Sequence, residues 1–401
     1  CLKDLGAKPF VFPAMGSHGG ATAEGQLEIL AHYGITEATM GCPLRATMDV
    51  VQAGEALGMP VWCDRIASEA DWIGIVNRVK PHTDFKGSIE SGLFKMMTIG
   101  LGKYRGATQY HRANVTHGYE TVITAVGREM LQKARIGFGL GVVENGYDET
   151  ARIEAFNAGD LEAGERRLLK DAREWMARLP FSPIDVLVVE EIGKNISGSG
   201  MDTNVIGRPS NPHEPFPADP KILWIVALSL TEESGGNATG IGNADFTTRR
   251  LAEKIDWKPT AINCLTACAP NGAKLPLVFD SDREAVENAL DCIGLTTPAQ
   301  ARVIRIKNTL RLDEIECSEA FLAEIAKRPD LAVVGDGRHL PSTQPARSFR
   351  WTAETRGVPA LCQPTGRALR RRPLRRDPEP THGHPARGTP VESQFARANY
   401  A

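Results

Sequence analysis

The sequence predicts an α/β fold of two domains, each a mainly parallel sheet flanked by helices, with the active site in the cleft between them. Short apolar runs bounded by Pro and Gly alternate with longer amphipathic stretches, and strand, helix, strand in succession implies parallel neighbours joined by right-handed crossovers. The chain has 401 residues, long enough for two domains that each bury a core. Its densest group of polar side chains, from Val79 to His111, begins where the apolar run WIGIVNR ends at Pro81. Ligands of α/β folds sit at such strand ends.

Taken in order, the chain opens on Cys1, and LKDLGAKPFVFPAM reads as the last turn of a helix followed by a strand over Pro9 to Met15. A domain seldom begins in mid-helix, so an N-terminal portion is expected to be missing. Gly16-Ser17-His18-Gly19-Gly20 forms a turn into an amphipathic helix capped by Thr22. Glycines beside His18 would let backbone approach a ligand, and the helix N-terminus behind them favours negative charge. His32, beside Tyr33 on an apolar helical face, reads as packing. Strands follow at Leu57 to Trp62 and, after Ile66 to Asp71, in the run before Pro81. A helix over Gly118 to Lys133 precedes strands at Ile136 to Glu144 and Ala151 to Asn157.

The charged amphipathic helix Leu161 to Leu179 ends at Pro180 and sets the boundary. Residues 1–180 are the N-terminal catalytic, cofactor-binding domain, and 181–340 the C-terminal α/β domain. The latter has strands at Ile184 to Glu190 and Lys221 to Leu230 and a helix over Phe246 to Ile255. Two glycine-rich loops lie between them, from Glu191 to Asp202 and from Ser234 to Asp245. The first lacks the Gly-Lys-Ser/Thr ending of a P-loop. Its Lys194 follows a strand end and could reach across the cleft to a carboxylate or a phosphate.

From about Pro341 the chain turns Arg- and Pro-rich without hydrophobic period, so 341–401 reads as a disordered basic tail or as out-of-frame translation. The formal net charge of -2 provides no field to recruit nucleic acid or an anionic membrane, which points to a small-molecule task. Eight cysteines without CxxC pairs suit reduced thiols, and no signal peptide or spanning stretch is evident. The cytoplasm is the expected compartment.

Chemistry concentrates after the central strand. His82 stands just past it, where an imidazole can titrate near neutral pH. Lys95 emerges between Leu93-Phe94 and Met96-Met97. A lysine in apolar surroundings is either snorkelling to solvent or neutralised, paired or covalently used.

The order Pro81-His82, a glycine-containing turn, Ser91-Gly92-x-x-Lys95, and His111 sixteen residues later resembles the nickel-dependent lactate racemase family. Gly16-Ser17-His18 resembles that family's Gly-Thr-His element, and the likeness runs from residue 9 to about 335. The resemblance implies a nickel-pincer nucleotide, a pyridinium-3,5-bisthiocarboxylic acid mononucleotide, held on Lys95 as a thioamide. It further implies His111 as the nickel ligand, with His117 the second choice, and His18 and His82 as paired acid/base groups. Lys194 is the other cofactor-binding candidate. The implied activity is racemisation or epimerisation of a 2-hydroxy acid by proton-coupled hydride transfer, with cofactor-assembly enzymes as partners. Two alternatives stand beside it. One is a zinc-dependent hydrolase or lyase built on His18, His82 and His111 with Asp84 as base; the other is a non-catalytic ligand- or cofactor-binding homologue.

Overall fold

The computed structural model describes residues 2–209, 211, 219–297 and 300–335, and the backbone of 367–371. Lys3–Leu5 is a single 3-10 turn closed by Gly6. Pro9 to Met15 does not become a strand. Only Val11 bridges, to Leu44. The carbonyls of Pro13 and Met15 are taken by Lys103 Nζ at 2.8 Å and Gln26 Nε2 at 3.1 Å, so no ladder is left for a neighbouring strand.

Helix α1 (Ala23–His32) starts at Thr22, whose hydroxyl accepts from the Gly25 N–H at 3.1 Å. His32 is exposed at the end of α1, with its ring edge-on to Tyr33 rather than packed in a core. After α2 (Glu37–Met40), strands β1 (Val50–Ala56) and β2 (Met59–Asp64) pair antiparallel. Leu57 and Gly58 both take positive φ, the tight hairpin geometry that forces antiparallel neighbours.

There follow α3 (Arg65–Glu69), β3 (Ile73–Arg78), α4 (Leu93–Lys95), a π-helical turn over Met96–Gly100, α5 (Lys103–His117), α6 (Tyr119–Lys133), β4 (Ile136–Glu144), β5 (Thr150–Asn157) and α7 (Leu161–Trp175). Strands β3 and β4 are parallel and β5 returns antiparallel. Leu93, Phe94, Met97, Val122, Val126 and Leu168 fill the core between this sheet and its helices. Gly141 in β4 explains the break in that strand's apolar run: a Cβ there would lie 2.4 Å from Leu168 Cδ1, so α7 can press on the sheet only because the side chain is missing.

The remaining elements are β6 (Ile184–Val189), α8 (Thr203–Ile206), β7 (Ile222–Ala227), β8 (Phe246–Thr248), α9 (Arg249–Glu253), α10 (Trp257–Thr266), β9 (Leu277–Phe279), α11 (Asp282–Asp291), β10 (Val303–Ile306), β11 (Glu314–Cys317), α12 (Leu322–Ile325), β12 (Leu331–Gly335) and β13 (Arg367–Arg371). They form a sheet ordered β12-β13-β11-β10-β6-β7-β8-β9, parallel from β10 to β9 and antiparallel at the other edge. The parallel arrangement thus holds for these five strands and for β3–β4, and does not extend to the hairpin β1–β2 or to β5.

Leu187, Val189, Ile225 and Ala227 belong to one apolar cluster while Val186, Val188 and Val226 belong to another. Alternate residues of β6 and β7 are buried on both faces, which is why these strands read as unbroken apolar runs. Phe246 to Thr248, expected as the first turn of a helix, is strand β8, and Thr248 then caps α9 by accepting from the Leu251 N–H at 3.1 Å. Of the expected tail, Arg367–Arg371 pairs antiparallel with β11 and β12, and the rest of 341–401 lies outside the described residues. No described helix is long and apolar enough to cross a membrane.

Candidate active site

The loop that leaves β3 carries His82, and one carboxylate shapes it. Glu90, fully buried, accepts from the His82 N–H at 2.6 Å, the Gly87 N–H at 3.0 Å and Arg173 Nη2 at 2.6 Å. From the second half of the chain, Asn204 Nδ2 donates to the His82 carbonyl at 3.2 Å, and Thr203 Oγ1 donates to the carbonyl of Thr83. Residues on both sides of position 180 therefore set the backbone of this loop.

Lys95 ends α4 and enters the π-helical turn, a distortion found often at functional sites. It is buried with Leu93 and Phe94. Glu165 accepts the Phe94 N–H at 2.8 Å and so satisfies a buried backbone donor at the N-terminus of α4. Lys95 Nζ lies 3.0 Å from His82 Nε2. The backbone N–H of Asp84 donates to His82 Nδ1 at 3.0 Å, and a backbone N–H can only donate. The neutral ring therefore carries its proton on Nε2, and it can offer that proton to Lys95 only when the lysine is the free amine. Burial lowers the Lys95 ammonium to about pKa 8 against the opposition of Asp84, so the free amine is a minor form at pH 7 and the major one above pH 8.

The other predicted residues gather around that amine. Burial lowers His18 to about 4, with the Lys194 and Lys95 charges adding to the effect. Burial likewise lowers His111 to about 4, helped by Lys95, and holds His82 well below its usual value, with Lys95, Lys86 and His111 contributing. All three imidazoles are thus neutral at pH 7. Lys194, in the loop leaving β6, is lowered to about 8 by burial against the pull of Cys264 and Asp84, and its Nζ donates to the Gly198 carbonyl. Neighbours β7 and β10 lie on opposite sides of β6, so this loop leaves the sheet at a switch in strand order, where α/β folds place ligands. Burial raises the Asp84 carboxyl while Lys95, Lys194 and Lys86 pull it back.

The Tyr119 ring stacks on Phe85 at 4.9 Å, with His82 at 6.0 Å and His111 at 6.2 Å, so an aromatic wall joins the two histidines. His111 projects from α5, and its buried Nδ1 makes no hydrogen bond among the described residues. His117 is exposed at the end of the same helix. His18, His82, Lys95, His111 and Lys194 are thereby brought into one electrostatic neighbourhood. Among the described residues no three His, Cys, Asp or Glu side chains converge as a protein-only metal cage would need.

The glycines beside His18 serve a purpose the sequence reading did not assign them. Gly19 has φ 61°, and a Cβ there would fall 2.3 Å from the Gly25 carbonyl carbon. It lets the loop close onto α1. Glu90, Glu165, Tyr119, Gln26 and Lys103 were missed because no local sequence spacing marks the backbone groups and side chains they meet.

No family model matches the chain, and no curated protein matches it. Several solved structures resemble it, two of them as follows. The lactate racemase apoprotein from Thermoanaerobacterium thermosaccharolyticum superposes with a TM-score of 0.49 at 13% identity, over 77% of this chain and 79% of that one. A Thermotoga maritima protein solved by the Northeast Structural Genomics Consortium gives a TM-score of 0.40 at 13% identity, over 66% of this chain and 70% of that one.

Proposed function

We propose that this protein is an isomerase that racemises or epimerises a 2-hydroxy acid, with a nickel-pincer nucleotide held on Lys95. The observation that carries this reading is the buried Lys95, lowered to about pKa 8, set 3.0 Å from His82 and surrounded by His18, His111 and Lys194. A lysine with an available lone pair near neutral pH is the group a covalent tether needs. The residues fit the group. Lys95 would hold it, and His111, uncommitted at Nδ1, would give nickel its protein ligand. A cofactor that brings its own donors asks for one histidine, whereas the zinc reading needs three ligands to converge. Residues 1–180 and 181–340 serve in this reading as the two domains.

A C2 proton beside a carboxylate is too weakly acidic to leave as H+ without large carbanion stabilisation. When bound, the cofactor supplies a reversible hydride acceptor that avoids this difficulty. The chain's own task is the hydroxyl proton. His18 and His82, both neutral at pH 7, would take it from one enantiomer and return it to the other. His82 can act as a base through Nε2 only after its proton moves to Nδ1, which requires the Asp84 N–H contact to open. Lys194 is the cation for the substrate carboxylate or the nucleotide phosphate.

The test is chiral chromatography of 2-hydroxy acids after incubation with protein co-expressed with cofactor-assembly enzymes, alongside metal analysis. Equilibration from either enantiomer with stoichiometric nickel is expected. Zinc with hydrolysis or elimination would instead favour the hydrolase or lyase, and neither metal nor turnover the binding homologue.

A further inference from the structure

A buried polar chain runs from α5 to the loop that holds His18, and the candidate site does not use it. Lys103 and Gln26 are both fully buried. Lys103 Nζ donates to Gln26 Oε1 at 2.6 Å and to the Pro13 carbonyl at 2.8 Å, with Asp64 Oδ2 at 3.7 Å as its counter-charge. With its oxygen held this way, the Gln26 amide is oriented, and its Nε2 meets the carbonyls of Met15, Gly16 and His18 at 3.1, 3.2 and 3.4 Å. A buried ammonium is costly unless its donors are spent. Here two of its three donors are spent on the Gln26 side chain and the Pro13 carbonyl, with Asp64 beside it.

Lys103 also takes φ 53°, a left-handed conformation that non-glycine residues rarely adopt, at the very start of the helix that carries His111. From this position the ammonium meets Gln26 and Pro13 while α5 continues to His111. One side chain so ties two predicted site residues to a common origin.

We infer that Lys103 and Gln26 are positioning residues that fix the His18 loop against α5, and so set where the His18 imidazole stands. The inference rests on the reading of His18 as a proton-transfer group, but its structural part needs no cofactor. Gln26→Glu replaces the amide that serves three carbonyls with a carboxylate that repels them, yet keeps the partner of Lys103. Lys103→Met with Asp64→Asn removes the buried charge pair together, so no lone charge is left inside.

The test is diethyl pyrocarbonate labelling of the full chain, mapped peptide by peptide, with exposed His32 as the internal standard. In both variants His18 should label about tenfold faster than in the parent, as expected when a loop loses buried hydrogen bonds and opens locally. His82 should not change. In the cofactor-loaded enzyme kcat should fall on the order of a hundredfold with KM little altered, the effect of a misplaced catalytic group. An unchanged His18 rate overturns the proposal, and so does equal acceleration of His18 and His82, which would assign the network to general stability. If the racemase reading is wrong, the labelling contrast still stands and only the kinetic effect disappears.

Discussion

Nε2 of His82 lies 3.0 Å from Nζ of Lys95, and the ring's other nitrogen is occupied by the Asp84 N–H at the same distance. This pair can hold its hydrogen bond without a net charge only if the lysine is neutral. The site thus presents an amine with a lone pair at a pH where surface lysines present ammonium.

That pairing predicts an unusual titration. The rate of Lys95 acetylation by an activated ester, followed by peptide mass spectrometry, should rise with a midpoint near pH 8, where burial places the group. Exposed lysines should titrate near their ordinary value, about 10.4. A Lys95 midpoint there would show that burial does not lower the group and would contradict the account.

Glu165 predicts a pH-dependent stability of opposite sense to the usual carboxylate. Burial raises it to about 8, against hydrogen bonds from the Phe94 and Leu93 N–H groups. The folded state therefore keeps a proton that the unfolded chain releases above about pH 4.5, so stability falls as pH rises from about 4.5 through 8. Glu165→Gln keeps an acceptor for the Phe94 N–H and removes the titration. Its melting temperature should match the parent at pH 5 and exceed it at pH 8 in differential scanning calorimetry. Parallel curves at both pH values would contradict the assignment.

The metal roles predict a split among the histidines. His111→Ala should lose nickel, while His18→Ala and His82→Ala should keep it and lose racemisation. Each proton-transfer variant should cost on the order of 10²–10⁴ in rate. Inductively coupled plasma mass spectrometry of purified variants checks this, and equal nickel loss in all three would point to a shared histidine cage.

Glu90 carries a stability prediction. Its carboxylate collects the His82 and Gly87 N–H groups and Arg173 in a buried setting. Glu90→Ala should cost roughly 2–3 kcal/mol through the backbone donors left unpaired. Arg173→Ala should cost less, because Glu90 keeps both backbone donors and the Lys86 ammonium at 3.8 Å. Equal melting-temperature losses in the two variants would contradict this ranking.

What could be read from the sequence follows the range over which each signal acts. Ile136–Glu144 and the Thr22 cap were legible because strand period and capping chemistry are local. The hairpin β1–β2 was not, since Leu57 occupies a left-handed turn position and the usual Asn-Gly signature is absent. Pro9 to Met15 has the composition of a strand, but the side chains that take its carbonyls, Gln26 and Lys103, come from elsewhere in the chain. His18, His82, Lys95, His111 and Lys194 were singled out through motif order and strand-end position. What orients them was hidden for the same reason as Gln26 and Lys103, because Glu90, Glu165 and Tyr119 act through contacts that only the folded chain makes.

The central claim is that Lys95 carries the cofactor, and the most direct measurement is intact-mass analysis followed by peptide mapping of protein co-expressed with cofactor-assembly enzymes. The account predicts an adduct of nucleotide size on the peptide containing Lys95, absent from Lys95→Ala, with every other lysine unmodified. Protein that racemises a 2-hydroxy acid while Lys95 remains an unmodified lysine would contradict it.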